Sequence, residues 1–258
     1  MEFEWDEVKK WTLWHYEDLI KRISQVFKYS FVQDNYNFSM KPARVHTAGL
    51  LNFGERKHAE YLVKITETLE SLEKRGVRNY LYLVEEVETR EKCERFVSTT
   101  KVPFRELIRC LNHIFRWVLP FTAPVKEFLD KDNEDHILTA KKLREFGIKN
   151  NLDLLEQGRT SDGRSKTSAQ TGVSESFLLD LVNKADISRI PYIRGKTVKI
   201  FCNAGYDNLQ KIADANLDTF ADDLKGYLQT IGVKFSKSFI EPDGAIAQAK
   251  VLPVIVEQ

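Results

Sequence analysis

Apolar residues recur along most of this chain at intervals of three and four, the period that lines one face of a helix. Residues 3 to 32 carry Trp5, Val8, Trp11, Leu13, Trp14, Leu19, Ile20, Ile23, Val26, Phe27 and Phe31, with helical spacing through Leu19, Ile23, Val26 and Phe27. The next stretch, Asp34 to Thr47, has no such period and contains Pro42, which predicts a loop or extended connector with a small basic character from Lys41, Arg44 and His46. From Leu50 to Arg75 the pattern returns: Tyr61, Leu62, Ile65, Leu69 and Leu72 mark an amphipathic helix that Gly76 ends.

Between Leu143 and Leu217 the pattern breaks into short helices joined by glycine-marked turns. Ile148, Leu152, Leu154 and Leu155 share one side after Gly147. Ser174 is placed to cap a helix bearing Phe177, Leu178, Leu181 and Val182. Ile190 to Lys196 is a compact turn opening a helix with Val198, Ile200, Phe201 and Cys202, and Gly205 stops it. Leu209, Ile212 and Ala213 begin the next helix. In the tail, Leu224, Leu228 and Ile231 are helical up to Gly232, Ser238 to Pro242 is a connector, Ala245 to Val251 a last short helix, and Pro253 to Glu257 extended, either across the body or frayed.

The segment Gly76 to Glu85 can be laid over Gly147 to Glu156, pairing Gly76 with Gly147, Asn79 with Asn150, Leu81 with Leu152, Leu83 with Leu154 and Glu85 with Glu156. The same offset, without a gap, pairs Thr89 with Thr160, Thr100 with Thr171, Asn112 with Asn183 and Pro120 with Pro191. Two helical stretches match apolar spacing by chance, but turn residues seldom match as well. The chain is therefore expected to be all-α, with an N-terminal aromatic helix and connector over 1–47 and two tandem related units, 48–130 and 131–258. Two copies are too few for a solenoid. The polar run Lys131 to His136 is the expected boundary.

Helix, tight hydrophobic turn and helix, followed by the run AGYDNLQKIADAN, resembles the helix-hairpin-helix superfamily. Residues Leu143 to Gly147, Leu155 to Thr160, Thr171 to Glu175, Leu181 to Asp186, Arg189–Ile190, Ala204–Gly205, Leu209, Ile212–Ala213 and Ile246 to Lys250 resemble the family called domain of unknown function 4332, over roughly residues 136 to 253. The resemblance implies an all-helical fold and no settled activity. Hairpins of the superfamily read hydrophobic-Gly-hydrophobic-Gly, so that backbone N–H groups approach a phosphate. Here those two positions are Tyr192 and Arg194, with Gly195 one place late, which puts phosphate binding at this hairpin in question.

Composition narrows the functions. With 39 Lys and Arg against 38 Asp and Glu, the net charge of +1 argues mildly against a dedicated nucleic-acid binder. No apolar run is long enough to cross a bilayer, and the acidic, aromatic first residues do not read as a secretory signal, so the cytoplasm is the expected compartment. Cys93, Cys110 and Cys202 are odd in number and far apart, which fits small apolar side chains in helices. Glu55, His58, Glu60 and Glu67 fit neither helical zinc spacing nor a carboxylate-bundle pattern. No nucleophile elbow, phosphate loop, dinucleotide fingerprint or paired-cysteine motif occurs. No catalytic residue, metal or cofactor is expected.

Two candidate surfaces remain. Arg159, Arg164 and Lys166 flank Gly163 in a turn-like stretch, and Arg189, Arg194, Gly195, Lys196 and Lys199 surround the hairpin after Pro191, with Tyr192 the one ring placed to stack a base. Either this is a basic edge that holds a nucleic-acid backbone, or it is ordinary solvent-facing charge. Trp5, Trp11 and Trp14 either clamp the first helix onto the body or form an aromatic face for a protein partner or a second copy. The expected function is a non-enzymatic helical scaffold or adaptor that binds protein partners. The alternative is low-specificity DNA or RNA binding through the basic edge.

Overall fold

The computed structural model describes residues 3–54, 56–234 and 241–258. Among them the chain is all-α, with two isolated bridges in place of any strand. It divides into two compact units, Met1–Leu119 and Pro120–Gln258.

The first unit contains α1 (Val8–Thr12), α2 (Tyr16–Val26), α3 (Ser30–Tyr36), α4 (Met40–Leu50), α5 (Arg56–Lys74), α6 (Tyr80–Glu86), α7 (Arg90–Thr100) and α8 (Phe104–His113), which runs on into a π turn at Ile114–Val118. Tyr16, Phe31, Tyr36, Met40, Leu50, Ile65, Leu69, Leu83, Leu107 and Leu111 form its core. The stretch Asp34 to Thr47 is not a connector: α4 occupies most of it. Pro42 sits in the first turn of α4, where a backbone N–H has no helical acceptor to lose. Arg44 pairs with Glu73 at 2.5 Å, and His46 turns inward.

The second unit starts with Pro120 and a 3-10 turn, Val125–Phe128, and continues through α9 (Glu134–Glu145), α10 (Asn151–Gly158), α11 (Ser161–Thr171), α12 (Glu175–Ile187), α13 (Gly195–Asn203), α14 (Leu209–Ala213), α15 (Leu217–Thr230) and α16 (Pro242–Val251). Its core holds Leu152, Leu155, Leu181, Phe201, Ile212, Phe220 and Leu224. The stretch around Gly163 is helix, not turn: Thr160 caps α11 by accepting from the Gly163 N–H at 3.1 Å. Ser174 caps α12 as its position predicted, accepting from Phe177 at 3.3 Å. Of the expected connector, Ser238, Phe239 and Ile240 lie outside the described residues, as does Glu55.

Residues 120–129 join the second unit through Asn151, whose side chain is fully buried. Its Nδ2 donates to the Phe121 carbonyl at 2.8 Å and to Ser188 Oγ at 2.9 Å, and its Oδ1 accepts from the Ala123 N–H at 2.8 Å. Its own N–H donates to the Ala123 carbonyl at 2.9 Å. One carboxamide thus fixes the segment before the 3-10 turn to α10 and to the end of α12.

The tail after α16 has no regular secondary structure and lies on its own unit. Ile255 and Val256 are buried, the Glu257 N–H donates to the Arg159 carbonyl at 2.9 Å, and the Glu257 carboxylate accepts from the Ser161 N–H at 2.8 Å in the first turn of α11.

In the first unit a buried polar cluster holds His113, which is fully buried, between Thr47 Oγ1 at 3.0 Å and Tyr61 OH at 3.1 Å. His46, 8 % exposed, lies tilted against Phe38 with ring centroids 4.4 Å apart, and neither of its ring nitrogens has a hydrogen-bond partner. Burial pushes the His46 imidazole down to about 4 and that of His113 to about 3.

Two measurements follow. Asn151→Ala leaves the Ala123 N–H, the Phe121 carbonyl and Ser188 without their partner, and is expected to cost about 2–4 kcal/mol in urea unfolding with an unchanged m-value. As pH falls, an unfolded histidine gains its proton near pH 6.5, before either buried imidazole does, so the unfolded state is favoured. The first unit should keep full stability above about pH 6.5 and lose about 2 kcal/mol per histidine by pH 5. All four tryptophans (Trp5, Trp11, Trp14 and Trp117) lie in this unit, so indole emission during urea titration reports it alone. His46→Phe should flatten the pH dependence by roughly half.

Candidate functional site

The turn that the sequence reads as a hairpin runs from the end of α12 to the start of α13. Tyr192 takes the left-handed conformation at φ 67°, which a glycine would adopt without steric cost, and its side chain is 44 % exposed beside Phe121. Arg194 stands at the N-cap of α13 with no side-chain cap bond, and its guanidinium lies 4.4 Å from the Phe121 ring centroid. Gly195 is buried against the 3-10 turn. A Cβ there would lie 2.5 Å from Glu127 Cβ and 3.0 Å from a Glu127 carboxylate oxygen. The glycine serves close packing against Glu127, and a carboxylate occupies the space beside the start of α13. A phosphate approaching those N–H groups would meet a like charge.

The eight hairpin-edge residues expected from sequence do not form one surface. Arg164 is buried, and its Nη1 donates to the carbonyls of Gly158 at 3.2 Å and Arg159 at 3.4 Å. Arg189 is buried too, pairing with Asp186 at 2.5 Å and donating to the Pro253 carbonyl at 2.9 Å. Burial raises the Asp186 carboxyl above its usual range, with the Arg189 guanidinium opposing the shift. Both arginines are interior ties rather than surface contacts: Arg164 donates to two backbone carbonyls, and Arg189 joins the Asp186 carboxylate to the Pro253 carbonyl. Lys199 is half-buried and holds the Leu129 carbonyl and Asp130 at 3.1 Å. Arg159 is half-buried with a buried Nε that lacks a partner. Only Lys166, Arg194 and Lys196 of the eight are exposed.

The three N-terminal tryptophans differ from one another. Trp5 stacks on Phe3, meets Tyr16 and Phe104 edge-on at 4.8 Å, donates to Glu94 at 3.3 Å and lies under Arg90. Trp14 is covered by Arg22 at 3.7 Å and edged by Phe115. Trp11 instead lines a pocket of about 300 Å³ with Tyr61, Arg105, Ile108, Arg109 and Asn112. The α8 members fall at the spacing i, i+3, i+4, i+7, one helical face, so the sequence carried the signal for them.

Among the described residues, no group of His, Cys, Asp and Glu is arranged to hold a metal ion, and no helix is long and apolar enough to cross a membrane. Cys93, Cys110 and Cys202 carry free thiols, each pushed up by burial, to about 11, 12 and 11.

Substitutions separate interior from surface arginines. Arg189→Ala strands the buried Asp186 and is expected to cost about 3–5 kcal/mol. Gly195→Ala forces the 3-10 turn outward and should cost about 1–3 kcal/mol. Arg194→Glu should stay within about 0.5 kcal/mol of the parent, all three being read by far-ultraviolet circular dichroism during urea unfolding, since the second unit holds no tryptophan.

No curated protein and no solved structure matches the chain. Residues 138–232, which run from α9 through α15, match the family model described as a domain of unknown function (DUF4332). The match supports membership of the second unit in that family.

Proposed function

We propose that this protein is a non-enzymatic helical adaptor, made of two related helix-hairpin-helix-like units, that binds a protein partner through the Trp11 face of the first unit. The observation that carries the reading is chemical: Glu127 stands beside the hairpin glycine and Arg164 and Arg189 are used internally, while the half-buried Trp11 and Tyr61 line one pocket with Arg109 and the exposed Arg105. Trp, Tyr and Arg are the residues enriched at interface hot spots.

The relation between the units draws support from matching turns. Gly76 and Gly147 have φ of 86° and 100°, and the following N–H groups of Val77 and Ile148 reach back to Leu72 at 3.1 Å and Leu143 at 2.8 Å. Asn79 and Asn150 then cap the next helices, Thr89 and Thr160 the ones after, and Lys101 and Gly172 end those in left-handed geometry. The Tyr80 N–H donates to the Phe38 carbonyl at 3.2 Å, as that of Asn151 does to Ala123.

The rival reading, low-specificity nucleic-acid binding, rests on Lys166, Arg194 and Lys196. Affinity capture from a cell extract with the full chain, beside its Trp11→Ala variant, tests the two together with a gel-shift titration at low salt. The adaptor reading expects protein recovered by the parent and lost with Trp11→Ala, and no shift of duplex or single strands. A salt-sensitive shift abolished by Arg194→Glu, with no protein recovered, would establish the rival instead.

A further inference from the structure

The pocket on the first unit carries more information than its aromatic wall. Its volume of about 300 Å³ lies at the small end of the range for ligand sites. Trp11 forms one side, with the exposed Arg105 guanidinium 5.2 Å from the indole centroid, and the half-buried Tyr61 ring adds apolar surface. Among the described residues no carboxylate lies within ion-pair distance of Arg105. Arg109 differs, because Glu106 already pairs with it, and the same Glu106 oxygen accepts from Thr68 at 2.9 Å. The pocket therefore presents one unneutralised guanidinium where two arginines stand. Asn112 lines the pocket, and its Oδ1 is buried with no hydrogen-bond partner, so a turn of its amide toward the pocket would present an unmet acceptor.

These features select among ligands. A phosphate monoester carries close to two charges at neutral pH and is best met by two available cations, and the pocket supplies one. A single carboxylate matches it. The Asn112 acceptor calls for an N–H donor, which every peptide backbone provides, and the indole and phenol rings accept an apolar neighbour. We propose that this pocket binds a short acidic peptide segment of a protein partner, an Asp or Glu beside an aliphatic or aromatic residue. In this arrangement the carboxylate lies on Arg105, a backbone N–H donates to Asn112 Oδ1, and the apolar side chain packs against Trp11 and Tyr61. The assignment deepens the adaptor reading and rests on it.

The pocket also has an inner connection. The Tyr61 hydroxyl that borders it reaches His113, and His113 reaches Thr47. The Tyr61 ring is thereby held in place from beneath, and the apolar wall is formed before a ligand arrives.

The test is a selection from a phage-displayed library of random heptapeptides on the full chain, followed by fluorescence-polarisation titration of the enriched sequences. The proposal expects enrichment of Asp or Glu next to an apolar residue, and at least a tenfold loss of affinity in Arg105→Glu with recovery in Arg105→Lys. Asn112→Leu should also weaken binding several-fold, with an unchanged urea midpoint for all three variants. Enriched peptides without an acidic residue, or acidic peptides indifferent to Arg105→Glu, would overturn the peptide assignment while leaving an adaptor that uses another contact. Quenching of tryptophan emission by adenosine monophosphate that Arg105→Glu removes, with no peptide enriched, would make the pocket a nucleotide site and overturn both readings.

Discussion

The second unit depends on the burial of one neutral amide. Asn151 spends every donor and acceptor of its side chain on Phe121, Ala123 and Ser188. A buried polar group is tolerated only when satisfied, and here satisfaction fixes geometry. It sets where the chain enters the unit and so where the 3-10 turn lies. That turn places Glu127 against Gly195 and brings Leu129 and Asp130 to Lys199. The chemistry of the hairpin is thus decided by an amide on a different helix. A loop that is superficially cationic in sequence becomes, through packing, a place where a carboxylate stands beside the helix start.

How much of this was legible follows a physical line. Helices with a sustained period, such as α5, α12 and α15, could be read directly, and so could the stops at Gly76, Gly147, Gly205 and Gly232, all of which have positive φ. The helix α4 escaped notice because Pro42 reads as a breaker, although a proline in the first turn breaks nothing. The interior roles of Arg164 and Arg189 escaped notice for a different reason. Periodicity counts an arginine as polar and therefore outward, whereas a long stem can run inside if its head finds carbonyls or a carboxylate. The Asp186–Arg189 spacing of i, i+3 did hint at a local pair. The polar pocket on α8 was present as a face of Arg105, Ile108, Arg109 and Asn112, but no pattern in one sequence says that Trp11 and Tyr61 would line it too.

The first unit shows a different balance. Its core accepts His46 without a hydrogen-bond partner, and likewise the buried Tyr80 hydroxyl. Each such group costs stability. Four tryptophans, with the rings of Phe3, Tyr16, Phe104 and Phe115 around three of them, offset part of that cost by burying large apolar area. The unit therefore joins a well-packed aromatic end to a core with unmet polar groups, and the pocket lies where Tyr61 connects the two.

The tail after α16 has a consequence of its own. Its Val-Ile-Val-Glu run is tethered to the surface it covers, so it competes there as an intramolecular ligand whose effective concentration is on the order of millimolar. A free peptide of similar sequence would be almost fully displaced at micromolar concentrations. The surface around Arg159, Ser161 and Arg189 is in this way reserved for residues 253–257 of the same chain, and only a rival held close by other contacts would evict them.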